Sequence, residues 1–145
     1  MAVSRQLRCS PEDVFAVLAD GWSYASWVVG ASRMRDVDHS WPAEGAKLHH
    51  SAGVWPLLIN DTTILRTWRP PYEAVLEAHG WPAGEAEVQI TVEVAAGGCA
   101  VAIEENVIKG PALLVPKPVR DAAMAWRNTE TLRRLSYLAE RKIAS

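Results

Sequence analysis

The 145-residue sequence has one phenylalanine, two cysteines, no long apolar run and almost no excess of charge. Each shortage excludes something. With 15 Lys and Arg against 17 Asp and Glu, net −2, there is no basic field to attract nucleic acid or anionic lipid. Arg133–Arg134 and Arg141–Lys142 cluster near the C-terminus, and on a helix of a near-neutral chain they read as a solvated face. Cys9 and Cys99 have no C-x-x-C partner pattern, so they read as reduced, half-buried thiols rather than a disulfide. H-x-H and H-E-x-x-H spacings are absent, and no metal is expected. There is no P-loop, dinucleotide fingerprint or nucleophile elbow, and no cofactor is expected. "GWPAGEAE" has glycines but opens a strand rather than a helix, which gives phosphate no cradle. The opening "MAVSRQLRCSPEDVF" lacks the apolar run of a signal peptide or membrane span, so a cytoplasmic location without stable membrane insertion is expected.

Tryptophan is what the chain has in quantity, seven residues beside three tyrosines. Each brings a large apolar surface and one N–H donor that needs a partner. Trp22, Trp27, Trp41, Trp55, Trp68 and Trp81 fall at turns or strand ends, and Trp126 in the last helix. That placement suits the mouth of a cavity; it equally suits large loops that need large anchors.

The length fits one domain, residues 1–145, with enough apolar material for a core. Residues 2–8 alternate as a short strand. "CSPEDVFAVLAD" opens a helix with Ser10 as N-cap, Pro11 in the first turn and Glu12 and Asp13 at the positive end. "WSYASWVVG" reads as a second short helix closed by Gly30. From 31 to 109 the period changes to two, and six strands follow: "ASRMRDVDHSW", "KLHHSAG", "LLINDTTILRTWRP", "YEAVLEAHGW", "EAEVQITVEV" and "CAVAIEENVIKG". The fifth is the clearest, with Ala86, Val88, Ile90, Val92 and Val94 on one face and Glu85, Glu87, Gln89, Thr91 and Glu93 on the other. Gly97–Gly98 signals a two-residue hairpin turn. Pro116 and Pro118 bracket the start of a long helix that runs to about Ile143. A sheet with one apolar face must cover it. This order therefore predicts an α+β helix-grip: a curved antiparallel sheet of six or seven strands around a long C-terminal helix, with two short helices after the first strand. A curved sheet does not seal fully on one rod, so a cavity between them is expected.

Several stretches, in this order, resemble bacterial members of the START/polyketide-cyclase-like (SRPBCC) superfamily. They are "SPEDVFAVLAD", "WVVGASRMRDVD", "WRPPYEAVLEA" with its Pro-Pro break, "GGCAVAIEE", and the terminal amphipathic helix. The resemblance covers essentially the whole chain. It implies binding of a hydrophobic or amphipathic small molecule between sheet and helix, or cyclisation or dehydration of a polyketide. The superfamily shares no universal catalytic residue, so it assigns no site residue here.

Candidate side chains come from parity. His49 and His50 are strand neighbours and point to opposite faces, so they cannot form one metal or acid–base pair. Leu48 and Ala52 share parity with His50, which makes it the inward one; Lys47 and Ser51 share parity with His49. A lone inward histidine could hold a ligand carbonyl, act as general acid or base, or be a satisfied core residue. Glu105 shares parity with Cys99, Val101, Ile103 and Val107. Pointing inward, it needs a partner such as Arg66, His50 or a ligand group; otherwise it meets water at a frayed strand end. On the last helix, Met124, Asn128, Thr131, Leu132, Leu138 and Ala139 share the face of Leu135. Asn128 and Thr131 make a polar notch that could bind a ligand or bond to the sheet. The expected lining is therefore Trp27, His50, Trp55, Trp68, Trp81, Glu105, Met124, Asn128 and Thr131. His50 and Glu105 are the acid–base candidates should the protein be a cyclase-like enzyme. A protein-interaction module using the acidic row Glu85, Glu87 and Glu93 is a third reading, and a homodimer is left open.

Overall fold

Ser10 caps the first helix as its residue type requires. Its hydroxyl accepts from Asp13 N while Asp13 returns a carboxylate to Ser10 N, a reciprocal capping box. The computed structural model in which this is seen describes residues 2–29, 31–52, 59–80 and 84–144. Strand β1 (Ala2–Leu7) leads to α1 (Pro11–Ala19), a 3-10 turn (Gly21–Ser23) and α2 (Tyr24–Trp27). Six strands follow: β2 (Ala31–Val37), β3 (Lys47–Ala52), β4 (Ile59–Arg69), β5 (Glu73–Gly80), β6 (Gly84–Ala95) and β7 (Gly98–Lys109). A second 3-10 turn (Pro111–Leu114) precedes α3 (Lys117–Ala144), whose 28 residues span about 42 Å.

The strands form one antiparallel sheet of seven, ordered β1-β7-β6-β5-β4-β3-β2. Register shifts interrupt β2–β3, β4 between Leu65 and Thr67, and β6 between Glu85 and Ala86. Each such irregularity bends its strand and increases local twist, which curves the sheet around α3.

Three local expectations change. The strand predicted to reach Trp41 stops at Val37, because the chain turns there: Trp41 N donates to Asp38 O, and Trp41 Nε1 donates to Leu18 O. The predicted second helix is divided into a 3-10 turn and the four-residue α2, and its proposed stop, Gly30, lies outside the described residues. The tight hairpin turn is Ala96–Gly97, since Ala95 already pairs with Gly98. Gly98 is instead a strand residue in close approach to β1; a Cβ there would stand 1.9 Å from Leu7 O.

The core occupies the β1, α1 and C-terminal α3 side. Leu132, Leu135 and Ala139 of α3 cluster there with Val14, Phe15, Leu18, Val92, Cys99 and Val101. Each fully buried leucine contributes about 1.5–3 kcal/mol. The N-terminal half of α3 makes a different surface, the roof of a cavity.

Candidate functional site

A cavity of about 410 Å³ lies between the curved sheet, α2 and the N-terminal half of α3. Its walls are largely apolar: Val28, Leu76, Ala78, Ala86, Val88, Ile90, Ile103 and Val107 line it from below, and Val115, Val119 and Met124 from above. Strand alternation explains the floor. Leu76 and Ala78 on β5 pair with Val88 and Ala86 on β6, and side chains at every second position share a face.

Two polar clusters stand on this wall, beside the separate His79, Glu85 and Arg120. The first joins β7 to α3. Glu105 points inward, buried, as its strand parity predicts. Its partner is neither Arg66 nor His50. Arg127 Nη2 donates to Glu105 Oε1, and Asn128 Nδ2 donates to the same oxygen at 3.1 Å. Arg66 is on another part of the sheet, bound to Glu77. Asn128 thus bonds to the sheet. Its neighbour in the notch, Thr131, accepts Val29 N at 3.2 Å and so fixes the end of α2 against α3. Both remain on the cavity wall, as does Met124.

The second polar place joins α2 to β3 and β4. His50 is inward and buried, while His49 faces outward and binds Asp38 at 2.9 Å. Ser51, on the outward parity with His49, is nevertheless buried and donates to Asn60 Oδ1 at 3.0 Å. His50 Nε2 lies 2.9 Å from Thr63 Oγ1, and Thr63 Oγ1 lies 3.0 Å from Tyr24 Oη. Burial holds the pKa of His50 below the usual histidine range, against a smaller opposing pull from Asp61, so the imidazole is neutral near pH 7. Burial likewise pushes the Tyr24 phenol above its ordinary value. Trp27, buried, packs edge-on to Tyr24 with ring centroids 5.4 Å apart.

Of the predicted lining, Trp27, His50, Glu105, Met124, Asn128 and Thr131 are brought together on this cavity. Trp68 is not: its ring packs on Phe15, centroids 5.0 Å apart, on the far side of the core. Trp55 and Trp81 lie outside the described residues. Tyr24, Arg127, Asp61 and Thr63 were missed. Thr63 meets His50 through strand register, which one chain's periodicity does not show: β3–β4 pairing sets His50 opposite Asp61 and Thr63 two residues on, on the same face. Arg127 left no signal either, since it is one position off the apolar stripe and reaches Glu105 only through its long side chain.

Where β5 ends and β6 begins, Glu77, His79 and Glu85 present ligand atoms all within 4.8 Å of one another, a grouping that could hold a metal ion, and His79 and Glu85 also line the cavity. Their charges already have partners: Arg66 on Glu77, and His79 at 3.5 Å from Glu77 and 3.2 Å from Glu85. No helix among the described residues is long and apolar enough to cross a membrane.

Comparison with solved structures places this architecture. The ARO/CYC di-domain protein StfQ from the steffimycin biosynthetic pathway superposes with TM-score 0.76 at 9% identity, over 100% of this chain and 51% of that one. Ara h 8.0201 superposes with TM-score 0.71 at 12% identity, over 95% of each chain. Protein NE0264 from Nitrosomonas europaea gives 0.75 at 12%, over 100% of this chain and 96% of that one. The protein therefore has the START/polyketide-cyclase-like helix-grip fold. No protein-family model matches the sequence, and no curated protein matches it.

Proposed function

We propose that the protein binds a small hydrophobic or amphipathic molecule in the cavity between the sheet and α3. The observation that carries this reading is the cavity itself. Its volume of about 410 Å³ falls within the range of small-molecule sites. Its walls are mainly apolar, with polar groups gathered in a few clusters, which is how such sites orient a mostly apolar ligand. A cyclase-like reaction, of the kind suggested by the likeness to StfQ, would need a group free to exchange a proton. Glu105 is engaged by Arg127 and Asn128, which leaves His50, held at Nε2 by Thr63, as the acid–base candidate, with no carboxylate hydrogen-bonded to its other ring nitrogen among the described residues. Binding is therefore the reading put forward.

The test is direct. An organic extract of freshly purified protein is analysed by mass spectrometry, and the stripped protein is titrated with a fluorescent apolar probe such as 8-anilinonaphthalene-1-sulfonate. Ala78 and Ala86 face each other across β5–β6 on the cavity floor. Ala78→Phe fills that space and should weaken probe binding at least tenfold while the fold is kept. Unchanged affinity in a folded Ala78→Phe protein would remove the cavity as the binding site.

A further inference from the structure

Three buried nitrogens on residues that line the cavity have no hydrogen-bond partner among the described residues, Trp27 Nε1, His50 Nδ1 and His79 Nε2, and of these His79 Nε2 has the Glu77 carboxylate 3.5 Å away, which leaves Trp27 and His50. Both side chains are more than nine-tenths buried, with exposures of 3% and 5%. Both rings pack on the ring of Tyr24, at centroid distances of 5.4 and 5.3 Å. A buried polar atom without a partner costs about 1–3 kcal/mol, so two on one aromatic cluster call for a reason.

The hydrogen-bond chain fixes what these atoms offer. Trp27 Nε1 is a donor only. For His50 the answer depends on its tautomer, which the chain Tyr24–Thr63–His50 decides. The neutral imidazole, the threonine and the tyrosine each have one proton, and two bonds join them. If His50 Nε2–H donates to Thr63 and Thr63 to Tyr24, the Tyr24 proton has no acceptor and His50 Nδ1 is a bare lone pair. If Tyr24 and His50 both donate to Thr63, the Thr63 proton is stranded and Nδ1 is again bare. If Tyr24 donates to Thr63, and Thr63 to His50 Nε2, only Nδ1–H is left over. The last arrangement leaves the fewest groups unsatisfied, and it makes the left-over group a donor on a cavity-lining residue.

We infer that this end of the cavity recognises a neutral carbonyl oxygen, as in a ketone, ester or quinone, through the N–H groups of Trp27 and His50. An oxygen with two lone pairs and no proton of its own matches two donors. A hydroxyl group would bring a further proton to a wall that offers N–H. A carboxylate would stand near Asp61, which lines the same cavity and pairs across the strands with His50. The inference rests on the cavity being a ligand site and goes beyond it by naming the chemistry that the ligand presents.

The test uses 9-fluorenone, 9-fluorenol and fluorene, one skeleton with a carbonyl, a hydroxyl or neither, titrated against the full-length protein. With each hydrogen bond contributing on the order of 1 kcal/mol, fluorenone should bind about thirtyfold more tightly than fluorene, with fluorenol closer to fluorene. Trp27→Phe should lower the preference for fluorenone over fluorene about fivefold, whatever it does to the affinity the two compounds share. In parallel, long-range ¹H–¹⁵N NMR of the unliganded wild type should show His50 protonated at Nδ1, and Tyr24→Phe should release that preference. Equal binding of all three compounds, or an Nε2–H tautomer in the wild type, overturns the carbonyl assignment while leaving the cavity as a binding site. Failure of all three to bind overturns the cavity reading and this inference with it.

Discussion

Glu105 on β7 and Arg127 on α3 form an ion pair that ties the sheet to the long helix at the cavity wall. The two ends of the pair are unequal. The glutamate side chain is 6% exposed and the arginine side chain 39%, so the carboxylate has given up its water while the guanidinium keeps much of its own. Asn128, one residue further along the helix, adds a second donor to the same oxygen.

That inequality predicts the outcome of breaking the pair. Arg127→Met leaves a buried carboxylate with one amide donor and should cost about 1–3 kcal/mol in urea unfolding. Glu105→Gln removes the buried charge and keeps an oxygen for Asn128, so its cost should be the smaller. A larger loss for Glu105→Gln than for Arg127→Met would mean that the carboxylate is not the group that needs the pair.

Much of this arrangement was legible in the sequence, and the reasons are periodic. The two-residue alternation of β7 placed Glu105 inward with Val101 and Ile103, and the same rule separated His50 from His49. The 100° stepping of α3 put Met124, Asn128 and Thr131 on the buried face, where all three lie. What could not be read was which inward groups meet. Arg127 for Glu105, and Thr63 and Tyr24 for His50, depend on strand register and on how far a side chain reaches. Neither leaves a mark in one chain's periodicity. Trp68 misled for a related reason: a strand-end tryptophan can turn toward a cavity or toward a neighbouring helix, and here Phe15 of α1 receives it.

His50 should make stability depend on pH in a defined window. Burial lowers its folded-state pKa from the ordinary 6.5. Between that value and the lower folded one, the unfolded chain binds the extra proton and the folded chain does not. Stability therefore rises with pH across the window. The contribution is fully present above about pH 6.5 and is lost as the pH falls from there through the folded value. Urea midpoints of wild type and His50→Gln, measured from pH 8 to pH 5, should show a slope in the wild type that the variant lacks. Parallel slopes would place His50 in water or in an already protonated state.

Gly84 carries a backbone requirement at the cavity edge. It begins β6 at φ +117°, and a Cβ there would lie 1.9 Å from Lys109 O. Both the conformation and the contact exclude a side chain. Gly84→Ala should cost at least about 1–3 kcal/mol, and the loss should extend to β7, because Lys109 pairs with Glu85 next to it. Amide exchange would show this as reduced protection at the β6–β7 end near the cavity. A thermally neutral Gly84→Ala would mean that the two strands can separate there without consequence.

The two cysteines should be inert in the folded protein although they sit side by side. Burial pushes the Cys9 thiol up to about 12, with the neighbouring Cys99 as the next cause, and burial raises Cys99 as well. Thiolate is the reactive form. At pH 8, a thiol with a pKa near 12 is ionised in only about one molecule in ten thousand, and both side chains are closed to reagent. Ellman's reagent should therefore label neither residue on the time scale of a free thiol until denaturant is added, and then label both. Because the barrier is the packing of β1 and β7 against α3, the native labelling rate should follow the opening of that region and rise in variants that loosen it, such as Leu135→Ala. Rapid labelling of the intact wild type at pH 8 would show that this end of the core opens freely and that the thiols are not held by burial.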